Sequence, residues 1–198
     1  ASWLASIRND HLLWHMLSDI NSGIQGMTKI LRRIPEKCSR DVYYKEVRPW
    51  IGPFVDVIYE GVSDVPVTYR GETGAQSSVV PFIVGLLGLK HKQTGMTDHL
   101  QDMRGYMPPL HREFLEWIER NSLIRKAVTE TRFVNLKEMY NQCLKSLHEF
   151  RSQHYEFAIS YIFQKTNDTE GTGKTPFVVW LKQLADETLE HLVPETTH

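Results

Sequence analysis

Residues 134–163, VNLKEMYNQCLKSLHEFRSQHYEFAISYIF, decide the fold. Within them Leu136, Tyr140, Cys143, Leu147, Phe150, His154, Phe157 and Tyr161 recur at intervals that alternate between four and three. An α-helix turns once in about 3.6 residues, so this rhythm keeps all of them on one stripe of a single long helix. His154 is the one imidazole on the stripe, since His148 points well away from it.

An imidazole among apolar side chains costs free energy unless its nitrogens find partners. By spacing alone, the commoner arrangement is a core histidine bonded to a backbone carbonyl. The other is a metal ligand, above all to a haem iron, which takes one axial histidine from a helix and leaves the opposite face open. Arg151 lies one turn before His154, where its guanidinium can meet a propionate.

Outward from this run, the rest also reads as helices. Residues 2–34 carry an apolar stripe at intervals of mostly three and four, ended by Pro35. A second helix is expected from Arg40 to Trp50, with Asp41 as its N-cap and Pro49 and Pro53 disturbing its far end. Residues 52–75 combine prolines with the run Arg70-Gly71-Glu72-Thr73-Gly74-Ala75. They read as a long ordered loop holding a short strand at most. Helices are then expected at 76–89, 97–106, 110–121 and 122–129, with Pro109 in the first turn of the third. After the long helix, a polar loop at 164–174 leads to a last helix at 176–192. The fold class is all-α, in one domain over residues 1–198.

Composition excludes several functions. The net charge is −1 with histidines neutral, and the longest basic cluster, Lys29, Arg32 and Arg33, is too small for a phosphate-binding surface. Nucleic acid is therefore not an expected partner. No apolar run reaches the roughly 20 residues needed to cross a bilayer. Cys38 and Cys143 stand far apart, in no metal-binding spacing, which fits a reducing, cytoplasmic setting. The opening residues lack both a signal-peptide pattern and an initiator Met, and the chain reads as having lost an N-terminal portion.

Other constellations carry less. Glu170 to Thr175 resembles the end of a phosphate-binding loop, but Asp168 stands where a glycine is needed and a helix precedes it in place of a strand. A hinge that folds over a site is the better reading. His11 and His15 have zinc-like spacing but no third ligand, and read as an exposed or half-buried pair. His111 reads as a surface residue, and His191 and His198 as part of a frayed C-terminus. Ser77 and Ser78 lack a nucleophile context. Tyr43, Tyr44 and Arg48 share one face of a short helix. That makes a natural clamp for an aromatic amino acid, with a fork for the carboxylate and rings for the side chain; a surface arginine beside core tyrosines is the more ordinary arrangement.

Five segments together resemble one family: Gly71-Glu72-Thr73-Gly74-Ala75-Gln76-Ser77-Ser78, then Leu100 to Pro109 (LQDMRGYMPP), Tyr140-Asn141-Gln142-Cys143, Phe150-Arg151-Ser152-Gln153-His154 and Gly171-Thr172-Gly173. In order and spacing they are similar to indoleamine 2,3-dioxygenases, over residues 12–192, with the first segment in a form more like fungal and microbial members. The resemblance implies a haem-binding helical bundle, haem b as cofactor and His154 as the ligand of its iron. It places Arg151 and Thr73 at the cofactor, and Tyr43, Tyr44, Arg48, Gly74, Ala75 and Thr172 around the substrate, with no side chain acting as acid or base.

The implied reaction inserts both atoms of O2 across the C2–C3 bond of the indole of L-tryptophan, giving N-formylkynurenine, the first step of the kynurenine pathway. The alternative is a myoglobin-like member of the same fold that binds O2 without catalysis; a haem-free helical interaction domain is a further possibility. A cytoplasmic monomer is expected. By the resemblance, Tyr43 stands where the family usually has Phe, Glu72-Thr73 where vertebrate members have Gly-Ser, and Val84 where vertebrate members have an Asp, which removes one partner for Arg151. The family's small N-terminal domain and the helix that closes the distal side of the haem are expected to lie upstream of Ala1.

Overall fold

The computed structural model describes residues 9–166, 169–171 and 175–194. Its helices are α1 (Asp10–Leu31), α2 (Ile34–Lys37), α3 (Arg40–Val42), α4 (Val79–Leu86), α5 (Gly95–Met103), α6 (Pro109–Asn121), α7 (Ile124–Glu130), α8 (Val134–Ala158), α9 (Gln164–Thr166) and α10 (Phe177–Leu189). The all-α expectation holds, with one addition. Residues 54–59 (β1) and 63–69 (β2) form an antiparallel hairpin, with Phe54 opposite Tyr69 and Tyr59 opposite Ser63. The sequence reads there as a long loop holding a short strand at most, and the structure has two paired strands. The hairpin is exposed on both faces, so it never develops the alternation of buried and exposed residues that marks a strand in a sequence.

The long helix α8 is the axis of the fold, flanked by α1 and α10. Its N-terminal half supplies Leu136, Tyr140, Cys143, Leu144 and Leu147, all fully buried, against Leu13, Leu17 and Ile24 of α1. Helix α1 starts where the Asn9 side chain accepts from the Leu12 N–H at 3.0 Å, and Asp10 sits favourably in its first turn. Pro35 does not end α1, which stops at Leu31. It lies in the first turn of α2, where a missing N–H costs nothing. Likewise Ser39, not Asp41, caps α3, accepting from Val42 N at 3.3 Å. Pro109 opens α6 as expected.

Buried polar groups fix how these helices sit. Ser146 donates to the Asn21 side chain at 2.7 Å between α8 and α1. Tyr140 donates to the Leu87 carbonyl at 2.7 Å and accepts from Arg125 at 2.9 Å. Asn141 closes a two-way pair with the Val193 backbone at 2.8 and 2.9 Å. His191 is correspondingly well ordered and not frayed: its ring meets the Glu187 carbonyl at 2.8 Å and the Lys90 N–H at 3.1 Å. His198 lies outside the described residues. His11, His15 and His111 are exposed, as expected. Both cysteines are free thiols, and burial pushes that of Cys143 up to about 12. No helix among the described residues is long and apolar enough to cross a membrane.

Gly88 ends α4 with φ +69°, and a Cβ there would meet the Arg125 Cβ at 2.9 Å. A left-handed conformation costs a non-glycine residue roughly 1–2 kcal/mol before any clash. Gly88→Ala is therefore expected to destabilise the fold by at least about that much, read as a lower urea midpoint with an unchanged slope.

Candidate functional site

The apolar stripe on α8 changes character along its length. Up to Leu147 it is sealed, Phe150 is half-buried, and His154 is open to solvent. The His154 ring is nevertheless surrounded by enough protein that desolvation alone lowers its pKa from the usual histidine value. The ring makes no hydrogen bond to any described residue. Every other described histidine has a partner. His91 meets Glu187, His111 meets Ser78, His148 meets Ala185 and His191 meets Lys90. The rings of His11, His15 and His99 lie against Phe133, Trp14 and Trp180. Among the described residues, His154 is the imidazole with neither a hydrogen bond nor a ring contact, whereas His11, His15 and His99 keep a ring contact without a hydrogen bond.

Beyond His154 the stripe continues into a π-helical turn, Ile159–Phe163, which packs against a second π turn, Tyr43–Val47. The second turn has a local cause. Pro49 lacks an N–H and crowds the carbonyl four residues back, so the chain cannot run on as a plain α-helix. The Arg48 N–H bonds instead to the Tyr43 carbonyl, and residues 48–51 tighten into a 3₁₀ turn. Such turns recur at functional sites.

The tyrosine pair thereby reaches the far end of α8. Tyr43 meets Tyr161 edge-on at 5.7 Å between centroids, and Tyr161 meets Phe157, one turn past His154, at 5.7 Å. Tyr44 joins the same cluster with Ile162 and Phe177, and the Arg48 guanidinium lies 5.8 Å from its ring centroid. Burial raises the Tyr43 pKa, opposed by Arg48, so its hydroxyl stays protonated at neutral pH. Arg48 also donates to the Glu170 carbonyl at 3.0 Å. Glu170 stands at the base of the 171–175 loop, whose ends are tied by the Gly171 N–H to the Thr175 carbonyl at 2.8 Å. Thr172 lies outside the described residues.

The 71–76 segment is braced by its own atoms. Thr73 N–H donates to the Gln76 side chain at 3.3 Å, and the Thr73 hydroxyl accepts from Ala75 N at 3.4 Å. The Glu72 N–H donates to the Ile51 carbonyl at 2.9 Å, tying the segment three residues from Arg48. The Arg70 N–H donates to the Tyr106 hydroxyl at 3.0 Å, which explains a structural use for the Met-Arg-Gly-Tyr-Met-Pro-Pro block. A Cβ at Gly74 would meet nothing within 4 Å.

Arg151 has a different employment from the one spacing suggested. Its Nη1 donates to the Leu184 carbonyl at 2.7 Å and the Thr188 hydroxyl at 2.6 Å, and its Nη2 to His91 at 3.2 Å. Three of its donors are held inside the protein, and a cofactor carboxylate has only the remaining ones to meet. The sequence reading missed His91 and Glu187 entirely: both sit in polar stretches with no spacing signal, and they are 96 residues apart.

The chain is similar to known proteins along most of its length. A family model described as indoleamine 2,3-dioxygenase matches residues 2–191. The chain belongs to that family. Human indoleamine 2,3-dioxygenase 2 is 30% identical over 210 residues, covering 93% of this chain and 51% of its own. A myoglobin from Haliotis madaka is also 30% identical, over 187 residues, 86% of this chain and 49% of its own. The indoleamine 2,3-dioxygenase of Saccharomyces cerevisiae is 28% identical over 180 residues, 82% and 40% respectively. The chain thus spans about half the length of the curated relatives it matches.

One electrostatic consequence is measurable. Burial and the neighbouring Arg151 lower the His91 pKa, outweighing Glu187. The unfolded chain therefore takes up protons first as pH falls. Stability on this account is full above about pH 6.5 and declines as pH drops toward the folded pKa. The melting temperature should fall on acidification from about pH 7.5 to about pH 5.5, with a shallower slope in His91→Phe.

Proposed function

We propose that this chain is the haem-carrying part of a dioxygenase that opens the indole ring of L-tryptophan with O2 to give N-formylkynurenine. The observation that carries the reading is the His154 ring: accessible, held neutral by desolvation, and without a partner in the described protein. A metal ligand must offer a deprotonated nitrogen, and His154 offers one on the inner side of a long helix. The chemistry of the donor therefore fits a residue that would hold a haem iron. Haem b, when bound, supplies the iron that binds and activates O2.

The protein's own part is orientation. Arg48 takes the amino acid carboxylate with its guanidinium fork, and the rings of Tyr43 and Tyr44 pack the indole and exclude water. The 71–76 segment offers backbone at Gly74 and Ala75 to the substrate and Thr73 to the cofactor, and Gly74 leaves room for close approach. Thr172, assigned to the substrate by the sequence resemblance, closes over the amino group. No side chain here needs to act as acid or base, because the reaction adds both oxygen atoms across one carbon–carbon bond.

A second reading is supported by the Haliotis relative, which is named a myoglobin and stands at the same identity as the human dioxygenase. On it, the chain binds O2 reversibly and makes no product. The clamp formed by Tyr43, Tyr44 and Arg48 favours the enzyme, since an oxygen carrier has no use for a carboxylate fork.

Haem-reconstituted protein should show a Soret band that His154→Ala loses; an equal band in that variant would remove His154 as the ligand. With tryptophan and a reductant, formylkynurenine should accumulate, and a Soret band without product would select the carrier. A charge-assisted pair is worth about 1.5–3 kcal/mol. Arg48→Ala should accordingly raise KM roughly tenfold or more, and unchanged turnover would take Arg48 out of the site.

A further inference from the structure

Helix α8 is held in two different ways along its length. From Leu136 to Leu147 it rests on α1 through apolar contacts. Arg151 is the last buried residue of the helix, and the turn that carries His154 extends beyond it. Around that turn Phe157 and Ala158 pack against the Tyr161 cluster, Arg32 donates to Gln153 at 3.0 Å and to Glu149 at 2.7 Å at the surface, and Arg151 supplies the buried polar tie. Arg151 reaches α10 at Leu184 and Thr188, and reaches the segment after α4 at His91.

The hydrogen bonds around His91 allow one arrangement only. A guanidinium donates and cannot accept, so His91 Nε2 accepts from Arg151. The ring proton therefore sits on Nδ1 and is donated to Glu187 Oε2 at 2.7 Å. Glu187 uses both oxygens as acceptors, Oε1 from Gln183 at 2.7 Å and Oε2 also from Lys92 N at 3.4 Å. The side chains of His91 and Glu187 are 8% and 4% exposed, so the array is sealed from water. A neutral imidazole thus bridges a buried cation and a buried anion, and neither end tolerates loss of the other.

We infer that Glu187, acting through His91 and Arg151, is a positioning residue that sets where α8 presents the His154 ring. The inference rests on the haem reading of His154 and deepens it. Partners outside the metal's own ligands commonly orient those ligands and tune metal affinity. Here the orientation is imposed through the helix that carries the ligand, since no described residue bonds to the ring itself.

The test uses the full chain with Glu187→Gln, His91→Phe and, as a control, Asn141→Ala, which cuts the α8–Val193 pair well before Arg151. Glutamine removes the negative charge that His91 and Arg151 face and keeps one acceptor oxygen, so the hydrogen bond from His91 is weakened even where the Gln183 amide turns to meet it. Two readouts are taken beside the melting temperature: the NMR signal of the His154 ring in haem-free protein, and haem affinity by Soret titration. Glu187→Gln and His91→Phe should shift or broaden the His154 signal and weaken haem binding about tenfold, the lower end for such partners. Asn141→Ala should lower the melting temperature while leaving both readouts in place. If Glu187→Gln fails to fold, Glu187→Asp, which keeps both acceptors, should give the same changes in smaller measure. An unmoved His154 signal in a variant destabilised as much as the control overturns the positioning role. A wild-type chain without a Soret band overturns the haem reading alone, and the ring signal still decides the array.

Discussion

A single helix has to do two incompatible things in this protein. Its first half must be sealed tightly enough to hold the molecule together, and its second half must leave one imidazole uncovered. Helix α8 meets both demands because its neighbours change along its length: α1 and the buried leucines cover it up to Leu147, and beyond Arg151 that cover falls away. The ring of His154 is reachable because the packing stops, and it stays neutral because the surrounding mass does not. Clusters on either side inherit this division, the larger one around Leu144 and the smaller one around Tyr161.

The places where apolar packing is interrupted are bridged by polar pairs. Ser146 with Asn21, Asn141 with Val193, and Arg151 with α10 each engage a different neighbour of the same helix. Apolar contacts alone allow a helix to slide or rotate at small cost, whereas a buried polar atom left unmatched costs about 1–3 kcal/mol. These pairs therefore fix the helix at one depth and one rotation, which matters more near His154 than a gain in total stability would.

Much of this was legible in the residues. The alternation of three and four from Leu136 to Tyr161 is long enough to override local ambiguity, and it singled out His154 before any coordinates were known. The Tyr43, Tyr44 and Arg48 trio was also visible, because those residues lie within one short segment. The array of Glu187, His91 and Arg151 was not, since its members come from three separate elements and each looks solvent-exposed in its own neighbourhood. Helix ends shifted for a related reason: Ser39 and Asp41 are both good caps, and only the path of the chain decides between them. Of the hairpin only a short strand within a loop was legible, because the alternation at 54–59 is brief and prolines and glycines surround it.

That hairpin displays many apolar side chains, among them Val55, Ile58, Val62 and Val65. An extended ribbon of this kind ordinarily invites other strands to line up beside it. Here Asp56 takes φ 54°, and the pairing slips on either side of Val57. Along β1 these irregularities break the row of outward backbone groups, and in β2 Pro66 lacks an N–H, so both strands make poor templates for an approaching one.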